Sequence, residues 1–284
     1  MKNIWIVGKH GLLASTFVQI CRTENISYTS TSKEELDITV HSQVEKFLDQ
    51  NEFSHVINCA AYTNVEGAEE NKKDAFLLNE TAVGDLARAC KARKIKLVHF
   101  STDYVFSGKK LKPYHEDDQT AALNVYGESK LAGERALFAH LDDALLIRIS
   151  WLFGSEGKSF VSKMKSLMLK EKELRVIDDQ IGKVSFAEDV AKATLNLLDK
   201  SGIFHFANRG ILTWYEFAHE ILNQLKKDGA PVVCEKLYPI KSSDYTQKAS
   251  RPLFSVLDTT KIENVLNCKL CGYKAALERC LKSL

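Results

Sequence analysis

The sequence contains no run of about 18 consecutive apolar residues, the length a helix needs to cross a bilayer. It also lacks a charged start followed by an apolar stretch and a cleavage site, because Met1 to Gly11 reads as strand then turn. A soluble chain without a secretory signal is expected. An excess of one charge is missing too. Thirty-nine basic residues stand against 37 acidic ones, the net charge is +2, and the signs are interspersed with no basic block. Neither a nucleic-acid nor a membrane partner is expected. There is no internal repeat, low-complexity segment or clean linker in the 284 residues. Cysteine is odd in number, at seven, and Cys21, Cys59 and Cys90 lie in apolar segments where free thiols pack as small hydrophobes. A reducing, cytoplasmic setting fits this usage. Cys268 and Cys271 make a Cys-x-x-Cys pair, but no second Cys or His pair stands at ligand spacing, so no metal or redox site is expected there.

What is present in the first half is an alternation of short apolar runs with longer amphipathic stretches, the pattern of βαβ units that build a parallel sheet. Strands are expected at Asn3 to Val7, Ser27 to Thr29, His55 to Asn58, Lys96 to Phe100 and Ala144 to Ile149. Apolar residues recurring at three and four positions mark helices at Ser15 to Thr23, Ser42 to Asn51, Glu80 to Ala92 and Asn124 to Phe138. Further on, helices are expected near Phe160 to Lys170 and at Trp214 to Lys227, a strand at Gly202 to Ala207, and a loop at Lys241 to Arg251. The fold class is therefore α/β: a Rossmann-like, doubly wound parallel sheet with a smaller, interleaved C-terminal lobe. Residues 1–150, with a returning segment around 185–208, are assigned to the nucleotide-binding part. Residues 151–184 and 209–284 mainly form the second lobe.

The first strand runs into Gly8, Gly11 and Ala14, a G-x-x-G-x-x-A pattern at the mouth of a helix. Glycine there permits a tight turn and close approach of backbone to a pyrophosphate, while the helix N-terminus offers free N–H groups. A plain turn would also explain three small residues. At the end of the second strand, where an NAD site usually carries Asp or Glu, stand Ser30, Thr31, Ser32 and Lys33, with no carboxylate until Glu34 and with Lys9 in the loop. NADP(H) is the expected cofactor and NAD(H) stays open, since Lys9 and Lys33 also suit a solvated surface.

Tyr126 and Lys130, in Tyr126-Gly127-Glu128-Ser129-Lys130, are four apart and share a helix face. A neighbouring ammonium favours phenolate and lowers the tyrosine pKa, making Tyr126 a usable proton donor. Thr102, just after a strand, supplies a hydroxyl for the negative charge that develops on a ketone oxygen as hydride arrives. By itself Tyr-x-x-x-Lys is a common half-buried ring beside a solvated amine. Its conjunction with a dinucleotide loop and a strand-end hydroxyl is the specific signal.

These residues resemble the extended short-chain dehydrogenases and, within them, the dTDP-4-dehydrorhamnose reductase family. The resemblance spans nearly the whole chain and is carried most specifically by Cys59-Ala60-Ala61-Tyr62-Thr63, Phe100-Ser101-Thr102-Asp103-Tyr104-Val105-Phe106 and the segment around Tyr126 and Lys130. It implies reduction of the C4 ketone of dTDP-4-dehydro-L-rhamnose, with a proton from Tyr126 and with Lys130 holding the nicotinamide ribose. It also implies that Thr102, Asp103 and Trp151 meet the sugar, and that Gly11, Leu12, Leu13, Asp37, Ile38, Ala61, Tyr62, Thr63 and Phe100 surround the cofactor. Some members are associated with magnesium, for which no carboxylate arrangement here marks a site. A homodimer stays open. The chain departs from the family pattern at Lys158-Ser159-Phe160, at Gly182-Lys183-Val184-Ser185 and at Val65-Glu66. These departures keep alive a non-catalytic cofactor-binding subunit, while Asp103 beside Thr102 keeps alive a related epimerase or dehydratase.

Overall fold

The computed structural model describes residues 2–284. In its first strand, β1 (Asn3–Val7), Ile4 and Ile6 enter one buried cluster while Trp5 and Val7 enter another. Side chains alternate across a strand, so a run that is apolar at every position belongs to a sheet covered on both faces. Neighbouring apolar residues likewise enter the two opposite clusters in β3 (His55–Asn58), which follows β2 (Ser27–Thr31), through Val56 and Ile57, in β4 (Lys96–Thr102) through Leu97 and Val98, and in β5 (Leu145–Ile149) through Leu145 and Leu146. After the short strands β6 (Leu152–Phe153), β7 (Glu173–Ile177), β8 (Ile181–Gly182) and β9 (Ser185–Phe186), β10 (Gly202–Phe206) returns to this sheet. All six strands are parallel, in the order β2-β1-β3-β4-β5-β10. The order reverses between β1 and β3, and a crevice opens at the carboxyl ends of strands at such a point.

Helices fill both faces. On the Ile4 side lie α1 (Leu12–Thr23), through Ala14 and Phe17, and a later helix at Ala187–Asn196, through Val190 and Ala191. The Trp5 side is covered by Val44 and Leu48 of α2 (His41–Asp49) and by Leu86 and Leu137 of two further helices. Between them the chain makes α3 (Val65–Glu70), α4 (Lys72–Phe76), a single π-turn at Leu77–Thr81, α5 (Ala82–Ala92) and α6 (Val125–His140). A separate core gathers Met164 of α7 (Phe160–Met168) and, beyond α8 (Ala187–Asn196), Phe217 and Ile221 of α9 (Trp214–Lys227). Leu277 of a C-terminal helix joins it, as does Leu237 of a strand at Lys236–Ile240 that pairs with β7. Ile262 of α10 (Thr260–Leu266) and the nearby Leu270 pack instead into the sheet's Ile4-side core.

Several boundaries differ from those read in the sequence, each for a physical reason. β2 runs on to Thr31, whose carbonyl accepts the N–H groups of Gly8 and Lys9 at 3.0 Å each and so pins the loop after β1. The first helix starts at Leu12, before the expected Ser15, because Gly11 takes the N-cap in an extended conformation. β4 includes Thr102, which was expected to follow the strand. The helix expected from Glu80 continues α4 through the π-turn, where Asn79 is buried and its side chain bonds both the N–H and the carbonyl of Tyr62, at 2.8 and 3.1 Å. The loop Lys241 to Arg251 carries only a 3-10 turn at Ser242–Asp244. It is clasped to α3, since Glu66 accepts from Lys248 N at 2.6 Å and pairs with Arg251 at 2.9 Å. No helix of the described residues is long and apolar enough to cross a membrane.

Candidate active site

The loop after β1 is shaped by what Gly8 allows. Its φ is +88°, and a Cβ there would stand 3.1 Å from the Ala60 nitrogen after β3. Both the left-handed backbone and the close approach require glycine. At the next step no side chain caps α1, so the first N–H groups of the helix, at Leu12 and Leu13, stay free at the wall of a cleft. This donor set fits the pyrophosphate of a dinucleotide.

Two hollows open at the strand ends. The larger is bounded by Gly11, Leu12, Leu13, Ala61, Thr63 and Phe100 on one side, and by Thr102, Asp103, Tyr126, Lys130 and Trp151 on the other. The second is lined by Gly8, Asp37, Ile38 and Tyr62. The expected catalytic, cofactor and substrate residues thus line one hollow or the other, whereas Ala14 is buried in the Ile4-side core and Lys9 lines neither. Ser32, Leu36 and Thr39 also line the second, and Tyr104, Lys158 and Trp214 the first, without having been assigned a role there. Their signal was adjacency: most lie within a few residues of a position already singled out. Lys9, for which both a phosphate contact and a solvated surface position stayed open, is engaged. It pairs at 3.0 Å with Glu35, whose other oxygen accepts the Ser32 N–H at 2.8 Å. A carboxylate therefore does stand at the end of β2, brought there by the turn after it.

The α6 helix is positioned from its first residue. The Asn124 side chain caps it by accepting the Gly127 N–H at 2.7 Å. At Gly133 any side chain would run into the Asn79 carbonyl of the π-turn, so glycine lets α6 lie against that backbone. Tyr126 and Lys130 are thereby held at the cleft, with the Tyr126 ring edge-on to Tyr104 at 5.8 Å. Burial pushes the Tyr126 phenol up to about 12, against a downward pull from the Thr102 hydroxyl and with Asp103 raising it further. Burial pushes Lys130 down to about 8, with Glu134 and Cys59 pulling it back up. Burial disfavours the charged form of both groups, and no pull of Lys130 on the Tyr126 phenol offsets it in the free site.

Thr102 Oγ1 donates to Asp103 Oδ1 at 3.1 Å and accepts the Tyr104 N–H at 3.2 Å. The second oxygen of Asp103 and the Ser101 hydroxyl are buried without a partner at the cleft. Buried polar atoms are seldom left unpaired, so these two suit a polar group of a bound molecule. Burial also raises Asp103, to about 7, against the pull of Ser255 and Thr102. Across the cleft Trp151 holds a φ of +47° and stacks on Trp214, ring centroids 3.7 Å apart. Gly182 makes room for it: a Cβ there would lie 2.8 Å from the indole.

The departures from the family pattern fall mostly on packing. Val184 is fully buried in the third core, and the Ser185 hydroxyl donates to the Phe206 carbonyl at 3.2 Å. Ser159 caps α7. Of the departing residues, Lys158 and Val65 line the cleft wall. Among the described residues no group of three or more His, Cys, Asp or Glu is placed to hold a metal ion.

Comparison with known proteins agrees with this geometry. A family model described as the RmlD substrate binding domain matches residues 1–284. The dTDP-4-dehydrorhamnose reductase of Escherichia coli (strain K12) is 36% identical over 236 residues, which are 81% of this chain and 79% of that protein. A dTDP-4-keto-6-deoxy-D-glucose reductase of Streptomyces niveus is 34% identical over 261 residues, 90% and 89% of the two chains. The solved structure of dTDP-4-dehydrorhamnose reductase from Bacillus anthracis str. Ames in complex with NADP superposes over 100% of each chain, with a TM-score of 0.93 and 30% identity. The chain belongs to the RmlD substrate binding domain family, that of the dTDP-4-dehydrorhamnose reductases.

Proposed function

We propose that this protein is an NADPH-dependent reductase that converts the C4 ketone of dTDP-4-dehydro-L-rhamnose to the alcohol of dTDP-L-rhamnose. The observation that carries the reading is one cleft in which Tyr126, Lys130 and Thr102 face a helix N-terminus with free N–H groups. When bound, the reduced nicotinamide supplies the hydride that forms the new C–H bond at C4. Tyr126 holds its proton firmly in the free site, being pushed up to about 12, and transfers it to the ketone oxygen as the carbonyl π bond breaks. Thr102 turns its hydroxyl from Asp103 toward that oxygen and stabilises the developing alkoxide. Lys130 meets the nicotinamide ribose and returns positive charge beside the phenolate. Gly11, Leu12 and Leu13 present N–H groups to the pyrophosphate, and Ala61, Thr63 and Phe100 enclose the nicotinamide end. Gly8, Asp37, Ile38 and Tyr62 take the adenosine end. Asp103 and Trp151 meet the sugar, the first through its unpaired oxygen and the second through its indole face.

The core around α7 and α9 acts as the substrate lobe and the parallel sheet as the cofactor part. NAD(H) serves as a weaker alternative to NADP(H). The seven free cysteines suit a reducing compartment, the cytoplasm. Of the departures that motivated a non-catalytic subunit, Ser159 caps a helix and Val184 and Ser185 serve packing, which supports catalysis. One relative named for a different keto-sugar, dTDP-4-keto-6-deoxy-D-glucose, favours a second reading in which the sugar epimer differs and the reaction does not.

Purified protein with NADPH and dTDP-4-dehydro-L-rhamnose should consume the cofactor's near-ultraviolet absorbance. Turnover of only dTDP-4-keto-6-deoxy-D-glucose would select the second reading. No turnover of either sugar with either nicotinamide would refute both.

A further inference from the structure

Behind the cleft, Asn58, His99 and Lys130 form a chain of buried side chains, none more than 2% exposed. His99 Nδ1 lies 3.2 Å from Asn58 Nδ2, and His99 Nε2 lies 3.2 Å from Lys130 Nζ. The far end of the chain sets its direction. The Ala60 backbone N–H can only donate, and it meets Asn58 Oδ1 at 3.1 Å. The amide NH2 of Asn58 therefore faces His99 and donates to Nδ1. In a neutral imidazole whose Nδ1 accepts, the proton sits on Nε2. That N–H points at Lys130. An ammonium has donors only, so a charged Lys130 would set donor against donor across 3.2 Å of buried space, whereas a neutral amine offers its lone pair.

The other groups around this chain leave that direction unchanged. A doubly protonated His99 would clash with the Asn58 amide, and burial holds its pKa well below the usual range. Glu134, one turn along α6, favours a charged lysine, but both its oxygens are bonded by buried Arg148, at 2.9 and 2.7 Å. Cys59, from the end of β3, is a thiol whose ionisation burial opposes. Tyr126, on the same helix face, is uncharged.

We propose that Asn58 and His99 are positioning residues that favour the neutral amine of Lys130 in the cofactor-free site, so that in mildly alkaline solution binding of the anionic dinucleotide is coupled to uptake of a proton by Lys130. The depression of Lys130 to about 8 has the same sign. An anion in the cleft favours the ammonium, so cofactor affinity falls as pH rises above the pKa of the free lysine. Only the identity of the anion rests on the function proposed above; the state of His99 in the free protein does not.

The direct test is nitrogen NMR of the unliganded protein carrying isotope-labelled histidine, the His99 signals being assigned by their loss in His99→Gln. The expected spectrum has Nε2 protonated and Nδ1 bare. A proton on Nδ1 overturns the proposal. In Asn58→Asp a carboxylate replaces the amide and can only accept, so the tautomer should reverse and Lys130 should charge. Titration calorimetry of NADPH in two buffers of different ionisation enthalpy then counts protons. Uptake should rise toward about one proton per NADPH between about pH 7 and about pH 9.5 in the wild type, and stay near zero in Asn58→Asp. Binding without proton uptake at any pH in the wild type also overturns the proposal. If NADPH fails to bind, the function proposed above falls and the tautomer still decides this one.

Discussion

The indole of Trp151 lies on that of Trp214 with centroids 3.7 Å apart and planes inclined by 9°. One ring comes from the turn after β5 and the other from the first position of α9, so the contact ties the carboxyl end of β5 to the core around α7 and α9 across the cleft. An offset aromatic pair contributes about 1 kcal/mol beyond its buried area. Trp214→Leu should therefore raise KM for the nucleotide sugar by roughly fivefold while leaving NADPH affinity unchanged. Substrate should quench the emission of the three tryptophans in the wild type, and much less in Trp151→Phe. Equal quenching in both would remove Trp151 from the sugar site.

Tyr126→Phe keeps the ring edge packed on Tyr104 and deletes only the hydroxyl. The expected result is a fall in kcat of about a hundred- to ten-thousand-fold with NADPH binding retained. Stopped-flow single turnover would separate the two. A variant with full kcat would end the role of Tyr126 as proton donor.

Asp103 gives a stability signature with a definite sign. Its folded-state pKa is raised from 3.8 to about 7, so the folded protein holds the proton more tightly than the unfolded chain. The stability this provides is full below pH 3.8 and is lost as pH rises toward about 7. Asp103→Asn, which cannot ionise, should thus gain stability over the wild type as pH increases. The Tm difference should widen from about pH 5 to about pH 8, by an amount on the order of a few kcal/mol in stability. Scanning calorimetry at both pH values checks it, and a gap that narrows would contradict the assignment.

Lys158 stands in the cleft wall where the family pattern has an amide. A nucleotide diphosphate is anionic, so Lys158→Asn should raise KM for the sugar nucleotide several-fold at low ionic strength and less in salt, with kcat little changed. Steady-state kinetics across a salt series measures this.

Glu35 holds Lys9 and the Ser32 N–H at the end of β2. Glu35→Gln removes a negative charge from the place where a 2′-phosphate would sit, and frees Lys9. The ratio of kcat/KM for NADPH over NADH should rise roughly a few-fold. A fall in that ratio would show that Glu35 serves NADPH binding by orienting Lys9.

Local pattern made much of the fold legible. The strands β1 and β3 were readable because each is apolar at successive positions, and α9 because Phe217, Ala218, Ile221, Leu222 and Leu225 recur at helical spacing. The short helix α3, Val65–Glu70, was not readable: one turn with a single buried residue, Ala68, has no period to detect, and it is held by the clasp of Glu66 on Lys248 and Arg251, far along the chain. Glu35 was passed over for the same reason, because a turn folds its side chain back onto Ser32.

The sequence by itself determined the Gly8 turn, the shared face of Tyr126 and Lys130, and the strand-end hydroxyl at Thr102. These depend on backbone sterics and helix spacing, which act over a few residues. Tertiary structure alone decided how far the proton affinities of this pair shift, and in which direction. Whether Lys130 lowers Tyr126 depends on how much water each has lost and on what lies behind them, and burial raises the phenol to about 12 while lowering the amine to about 8. It also decided that Val184 and Ser185 serve the core rather than the substrate, since which face a side chain presents is set by the elements that close over it. Desolvation and packing arise from residues distant in the chain, and so they are written only in the fold.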